Sequence, residues 1–225
     1  MTSQATTEGR TGIWNRAARN PAAVAGIGYS VAWVAGLAVV APNPSVAASG
    51  SQVVAAFAGH DWSTMAMFVL VEGIAAVALA VVVLLVARAT RQQGARRAGL
   101  TAAGFGLAAA VTSWAELAMG AWLVFGPVAS GRAATAGALY QALTRVDGAK
   151  MLVLAAMAVA LAAVSVTSAV LPRWLAPLAL LLAVTLAASG LGYLLLRQSL
   201  ADVVFVSAVP LLAVVTATGM TLRTR

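Results

Sequence analysis

Two carboxyls stand inside long apolar runs, Glu72 and Glu116. A charged side chain at the centre of a bilayer costs about 2.5–3.5 kcal/mol on insertion scales, so an ionisable residue there marks a candidate site. Glu72 lies about eight residues beyond Ser63–Met65, and Glu116 about nine residues before Phe125. At roughly 1.5 Å per residue, both sit about 12–14 Å below the same end of their segments. If they face each other they form a coupled pair, with desolvation favouring the protonated forms. A neutral carboxylic acid in a dry pocket can bind a ligand, pass on a proton or protonate an alkene or epoxide. Asp61 is eleven residues before Glu72, close to three helical turns. It shares the face of Glu72, at the mouth of the pocket, if the helix starts early. Tyr29, Trp33, Trp62, Trp114, Tyr140 and Lys150 are the candidate ligand contacts. The aromatic residues among them, like Trp122 and Tyr193, also suit packing or anchoring at a membrane interface. The alternatives for the two glutamates are hydrogen bonds across a helix bundle, or ion pairs with Arg145, Lys150 or Arg197. Asp147 and Lys150, three residues apart, read as a charge pair at a helix start.

Other chemistries find little support. The chain has no Cys and one His. A disulfide framework, a thiolate metal site and a cysteine nucleophile are excluded. His60 has no companion ligands for a zinc centre, and paired-histidine haem ligation needs a second His. Neither a phosphate-binding glycine loop nor a nucleophile elbow is present. No metal and no cofactor are expected.

These residues must be positioned by elements that suit lipid. Of 225 residues, 62% are hydrophobic and 9% charged, with a mean hydropathy of +0.94. A soluble domain is about 25% charged, so this chain lacks the polar surface for water. Disorder needs the opposite composition. Six segments are long and apolar enough to cross a bilayer, near Ala22–Val40, Met65–Val86, Leu100–Phe125, Met151–Leu171, Trp174–Leu196 and Val203–Leu222. None alternates like a barrel strand, and lipid requires each segment to satisfy its own backbone. The expected fold is all-α, a bundle of six transmembrane helices. The basic residues set its orientation. With the N-terminus inside, Arg10, Arg16, Arg19, Arg88, Arg91, Arg96, Arg97, Arg173, Arg223 and Arg225 are cytoplasmic. Arg132, Arg145, Lys150 and Arg197 are outside, ten against four of the 14. Both termini are then cytoplasmic. The net charge of +8 becomes a topology signal, and nucleic acid is not an expected partner.

The domain plan is a polar cytoplasmic tail over residues 1–20, expected to be mobile, and a single six-helix domain over 21–225. A signal peptide is the competing reading of the first span, with Val46-Ala47-Ala48 as its cleavage site. The apolar run exceeds the usual core of about 7–15 residues. Pro42-Asn43-Pro44 ends the first helix. Ser45–Asp61 is weakly amphipathic and suits the outer surface, and Gly126–Gly148 reads as an outer loop holding Tyr140, Arg145 and Asp147. Gly26, Gly28, Gly104, Gly106, Gly190 and Gly192 are candidate close contacts between helices. No internal repeat is evident, and Pro210 is the one helix-breaking signal in the sixth span.

Leu171-Pro172-Arg173-Trp174-Leu175-Ala176-Pro177-Leu178, followed by Gly190-Leu191-Gly192-Tyr193-Leu194, resembles an uncharacterised domain-of-unknown-function family of small bacterial six-span membrane proteins. Ala25-Gly26-Ile27-Gly28-Tyr29, the basic loop between spans two and three and the chain length are also similar. The resemblance implies the six-span fold and carries no functional residues. The sequence thus leads to a multi-pass protein of the bacterial plasma membrane. Its acidic pocket in the outer half would bind or transport a small or lipophilic molecule. The alternatives are an intramembrane acid enzyme, of the kind that cyclises terpenes or meroterpenoids, and an accessory subunit without chemistry. The lipid bilayer is the expected partner, and a homo-oligomer is compatible with the sequence.

Overall fold

The computed structural model describes residues 20–91 and 93–222. The expected tail over 1–20 lies outside these residues except for Asn20, as do Arg10, Arg16, Arg19, Arg223 and Arg225. The described chain is all-helical. Its elements are α1 (Pro21–Ala38), α2 (Gly50–Phe57), α3 (Asp61–Thr90), α4 (Arg96–Val128), α5 (Ala133–Thr167), α6 (Leu175–Leu194) and α7 (Gln198–Thr221). All but the short α2 are long and apolar enough to cross a membrane.

Local sequence fixes several of the ends. The Asn20 side chain accepts from the Ala22 N–H, with Pro21 at the first helical position, where its missing N–H costs nothing. α2 opens on a capping box: Ser49 accepts from the Gln52 backbone, and the Gln52 side chain accepts from the Ser49 N–H. α1 stops at Ala38, and Val39 is already extended ahead of Pro42.

The six long helices form a closed ring in which neighbours in sequence are antiparallel neighbours in space. α1 closes the ring against α7 and also packs on α3. Small residues permit this closeness, since lipid supplies no hydrophobic drive between helices. A Cβ on Gly148 of α5 would stand 2.8 Å from the Gly190 carbonyl oxygen of α6. One on Gly219 of α7 would collide with the Ala22 carbonyl oxygen of α1. Gly26, Gly106 and Gly192 are similarly confined, whereas Gly28 and Gly104 face open space and make no helix contact. Ser30 of α1 and Thr216 of α7 share a 2.6 Å hydrogen bond. Inside the ring lies one apolar core, including Leu79, Val83, Met157, Leu161, Leu182 and Leu186.

The largest departure from expectation is α5. It starts at Ala133, not near Met151, so Tyr140, Arg145, Asp147 and Lys150 are helical rather than parts of a loop. The polar residues interrupt the apolar run, but the inward face continues through Ala136, Tyr140, Thr144, Gly148 and Met151 at helical spacing. The extra turns project past the bundle and carry a second, smaller core. There, Val53 and Phe57 of α2 pack on Leu123, Val128, Leu139 and Tyr140. The region expected on the outer surface is therefore partly anchored: the Tyr140 hydroxyl donates to the Pro44 carbonyl at 2.7 Å.

Two helices contain π-helical turns, Val69–Ile74 within α3 and Val124–Val128 at the end of α4. Pro127 lies in the second and lacks the N–H that a tighter helix would use. The first contains Glu72. Such turns occur mostly as single insertions, frequently at functional sites.

Candidate functional site: a buried lysine shared by three carboxyls

Glu72 on α3, Glu116 on α4 and Asp147 and Lys150 on α5 converge inside the ring. The Lys150 Nζ donates to Glu72 Oε2 at 2.8 Å and to Glu116 Oε2, and pairs with Asp147 Oδ1 at 2.9 Å. Glu116 is 2% exposed, Glu72 and Lys150 are also buried, and Asp147 is the most accessible of the four. Two of the ammonium's three N–H donors go to the glutamates, and Asp147 adds an ion pair. The second Glu116 oxygen, Oε1, is buried without a hydrogen-bond partner.

Each position has a local cause. Asp147 and Lys150 lie three residues apart in the middle of α5, so one turn of helix puts both on the same stripe. They are not the expected helix-start pair. Glu116 sits on the buried stripe of α4 with Ser113 and Gly120. Glu72 is delivered by the π-helical turn of α3. One extra residue in a turn rotates the rest of the helix by about 100° relative to an unbroken α-helix. α3 begins at Asp61, and its buried side runs through Thr64 and Phe68 to Val71 and Glu72. Asp61 is half-buried at the helix start and makes no ion pair among the described residues.

The two glutamates do come together, as their equal depth suggested, but a cation stands between them. The expected carboxyl–carboxyl pair is replaced by a four-group cluster centred on Lys150. Of the alternative cations, Arg145 and Arg197 are exposed and take no part. Charge counting gives one positive and three negative groups. A neutral cluster therefore requires two further positive charges, supplied by protons or by a cationic ligand. In a low-dielectric interior, an uncompensated charge of that size is strongly disfavoured.

A cavity of about 20 Å³ adjoins the cluster, lined by Tyr29, Trp33, Glu72, Ser113 and Lys150 among others. That is room for about one water molecule. Tyr29 and Trp33 thus stand where a ligand-contacting role was expected. The other aromatic candidates do not. Trp62 is 82% exposed and packs edge-on to Phe125 at a ring separation of 6.3 Å. Trp114 is 53% exposed on the outside of the ring. Tyr140 supports the α2 cover. Asp147 is the member that sequence reasoning assigned to another role; its signal was the spacing to Lys150 together with the inward periodicity of α5. His60 is exposed, and the described residues contain no cluster of metal-binding side chains.

The fold and the site together define an all-helical protein with six potential membrane spans and a buried ion cluster at its centre. No protein-family model, curated protein or solved structure matches the chain.

Proposed function

We propose that this is a multi-pass membrane protein in which the Lys150 cluster takes up and releases protons, coupled to the binding or transport of a small solute. The observation that carries this reading is one buried ammonium shared by three carboxyls from three helices. Such a cluster changes its charge by one unit with each proton it exchanges. The free oxygen of Glu116 gives a proton a place to bind without breaking an existing bond. The adjoining cavity admits one water, which can relay a proton to or from the cluster. Asp147, the most accessible carboxyl, is the entry point on the side where α2 covers the bundle. Both termini on the cytoplasmic side and a bacterial plasma membrane complete the reading, through the positive-inside distribution of arginine.

The test is an acid pulse applied to proteoliposomes that contain a pH-sensitive dye. The parent protein is expected to acidify the lumen faster than Glu116→Gln and Asp147→Asn. Rates above those of empty vesicles that are equal in all three proteins would remove the cluster from the proton pathway. A second reading, acid chemistry on an isoprenoid, draws on Tyr29 and Trp33 beside Glu72, since aromatic faces stabilise carbocations. It requires the cavity to open to several hundred Å³ to admit such a substrate. It predicts turnover of a prenyl substrate that Glu72→Gln abolishes.

A further inference from the structure

The end of the bundle opposite the carboxyl cluster holds a second and much larger cavity, of about 810 Å³. It is bounded by the carboxyl end of α5, the turn into α6, the α3–α4 connection and the last turn of α7. Its lining includes Gln93, Thr167, Ser168, Arg173, Trp174 and Thr221. We propose that this cavity binds a phosphate group, with Arg173 as its anchor.

Charge distribution is the first argument. Among the described residues, Arg173 is the one charged residue in the lining, and it forms no ion pair. Arg88, Arg91, Arg96 and Arg97 lie at the same end. The described acids, Asp61, Glu72, Glu116, Asp147 and Asp202, all lie toward the other end. A concave site walled by low-dielectric protein, with cations around it and no acidic side chain among the described residues of its lining, focuses positive potential. The carboxyl ends of α5 and α7 contribute only partial negative charge, each equivalent to roughly half an electron.

The hydrogen-bonding inventory is the second argument. The lining hydroxyls already donate inward: Thr167 to Ala163 at 2.6 Å, Ser168 to Val164 at 2.8 Å and Thr221 to Ala217 at 2.6 Å. The side-chain N–H donors left over in the lining belong to the Arg173 guanidinium, the Gln93 amide and the Trp174 indole. A planar fork of N–H groups with nearby neutral donors suits a tetrahedral oxyanion, which accepts from several sides. The volume lies in the range that holds a small organic ligand or a lipid headgroup. Val166 and Trp174 of the lining are more than half exposed, which places the cavity where acyl chains and headgroups meet if the helices span a membrane. A phospholipid headgroup and free phosphate share the required chemistry. This site is independent of the Lys150 cluster and stands whatever that cluster does.

Thermal unfolding of the full chain in detergent tests the proposal with three probes: dihexanoyl phosphatidylglycerol, inorganic phosphate and dihexanoyl glycerol, which lacks phosphate. Phosphatidylglycerol is expected to raise the melting temperature saturably. Arg173→Gln should need about ten-fold more of it, the loss of one charge-assisted contact pair. Arg173→Lys should fall between, and Arg97→Gln, outside the lining, should weaken binding far less than Arg173→Gln. A shift with phosphate as well identifies the free anion as sufficient; a shift with the lipid alone identifies the headgroup with its chains. The proposal is overturned if neither phosphate compound shifts the transition, or if dihexanoyl glycerol does as much. It also falls if Arg173→Gln titrates like the parent, or if Arg97→Gln weakens binding equally.

Discussion

Replacing Lys150 by Met keeps an unbranched stem of similar length and deletes the ammonium. The structure sets the consequence. Glu72, Glu116 and Asp147 all lose their cation together, and Glu116 is left with both oxygens unpartnered in a site that is 2% exposed. Removing one partner of a buried pair costs about 3–5 kcal/mol. For a chain of this size, each kcal/mol shifts the melting temperature by about 2–4 °C, so a fall of roughly 6–20 °C is expected. Glu116→Gln alone is milder, because Lys150 keeps two carboxyls; the loss of one hydrogen bond to a charged group is about 1.5–3 kcal/mol. The double variant Lys150→Met/Glu116→Gln removes the most buried of the orphaned charges. It should be more stable than Lys150→Met alone, which requires a favourable coupling larger than the roughly 1.5–3 kcal/mol that Glu116→Gln costs by itself. Fluorescence-detected size-exclusion chromatography after heating in detergent gives the three transitions. A Lys150→Met protein as stable as the parent would show that the ammonium is not what holds the carboxyls. A double variant less stable than Lys150→Met by the full cost of Glu116→Gln would show that the charges are not coupled.

Packing and helix register lead to four more expectations. Gly148→Val should disrupt the α5–α6 contact, where a Cβ meets the Gly190 carbonyl at 2.8 Å, whereas Gly104→Ala faces open space and should be neutral or slightly stabilising by about 0.5–1 kcal/mol through helix propensity; heat challenge of both variants compares them. Deleting Val69 should convert the π-helical turn of α3 to α-helix and turn Glu72 away from Lys150, so that proton uptake by vesicles drops to that of Glu72→Gln; uptake equal to the parent's would show that the turn does not position Glu72. Tyr140→Phe keeps the ring packing on Phe57 but loses the bond to the Pro44 carbonyl, at a cost of about 1 kcal/mol, and should speed amide exchange over residues 44–57; unchanged exchange would mean that the apolar contacts alone hold the cover. Trp114→Leu should leave proton uptake unchanged, since its ring lies outside the bundle; a loss would bring that outer face into the mechanism.

Composition and periodicity were enough to define an all-helical chain with six long apolar helices, because a segment with so little charge can satisfy its backbone only within itself. The depth of Glu72 and Glu116 was also legible, since helix rise converts residue number directly into distance. Three features were not. α5 begins well before its apolar run because Arg145, Asp147 and Lys150 lower the local hydropathy while the inward stripe continues past them. The π-helical turn in α3 has no proline that dictates it, yet it is the turn that carries Glu72. The pairing itself was decided only when three helices came together. An amino-acid sequence fixes which charges enter the apolar interior, because their desolvation penalty is incurred residue by residue. Which cation they meet depends on the rotation of each helix about its axis, and that is set by side-chain packing across the whole ring. Tertiary structure therefore turned an expected pair of acids into one lysine shared by three carboxyls.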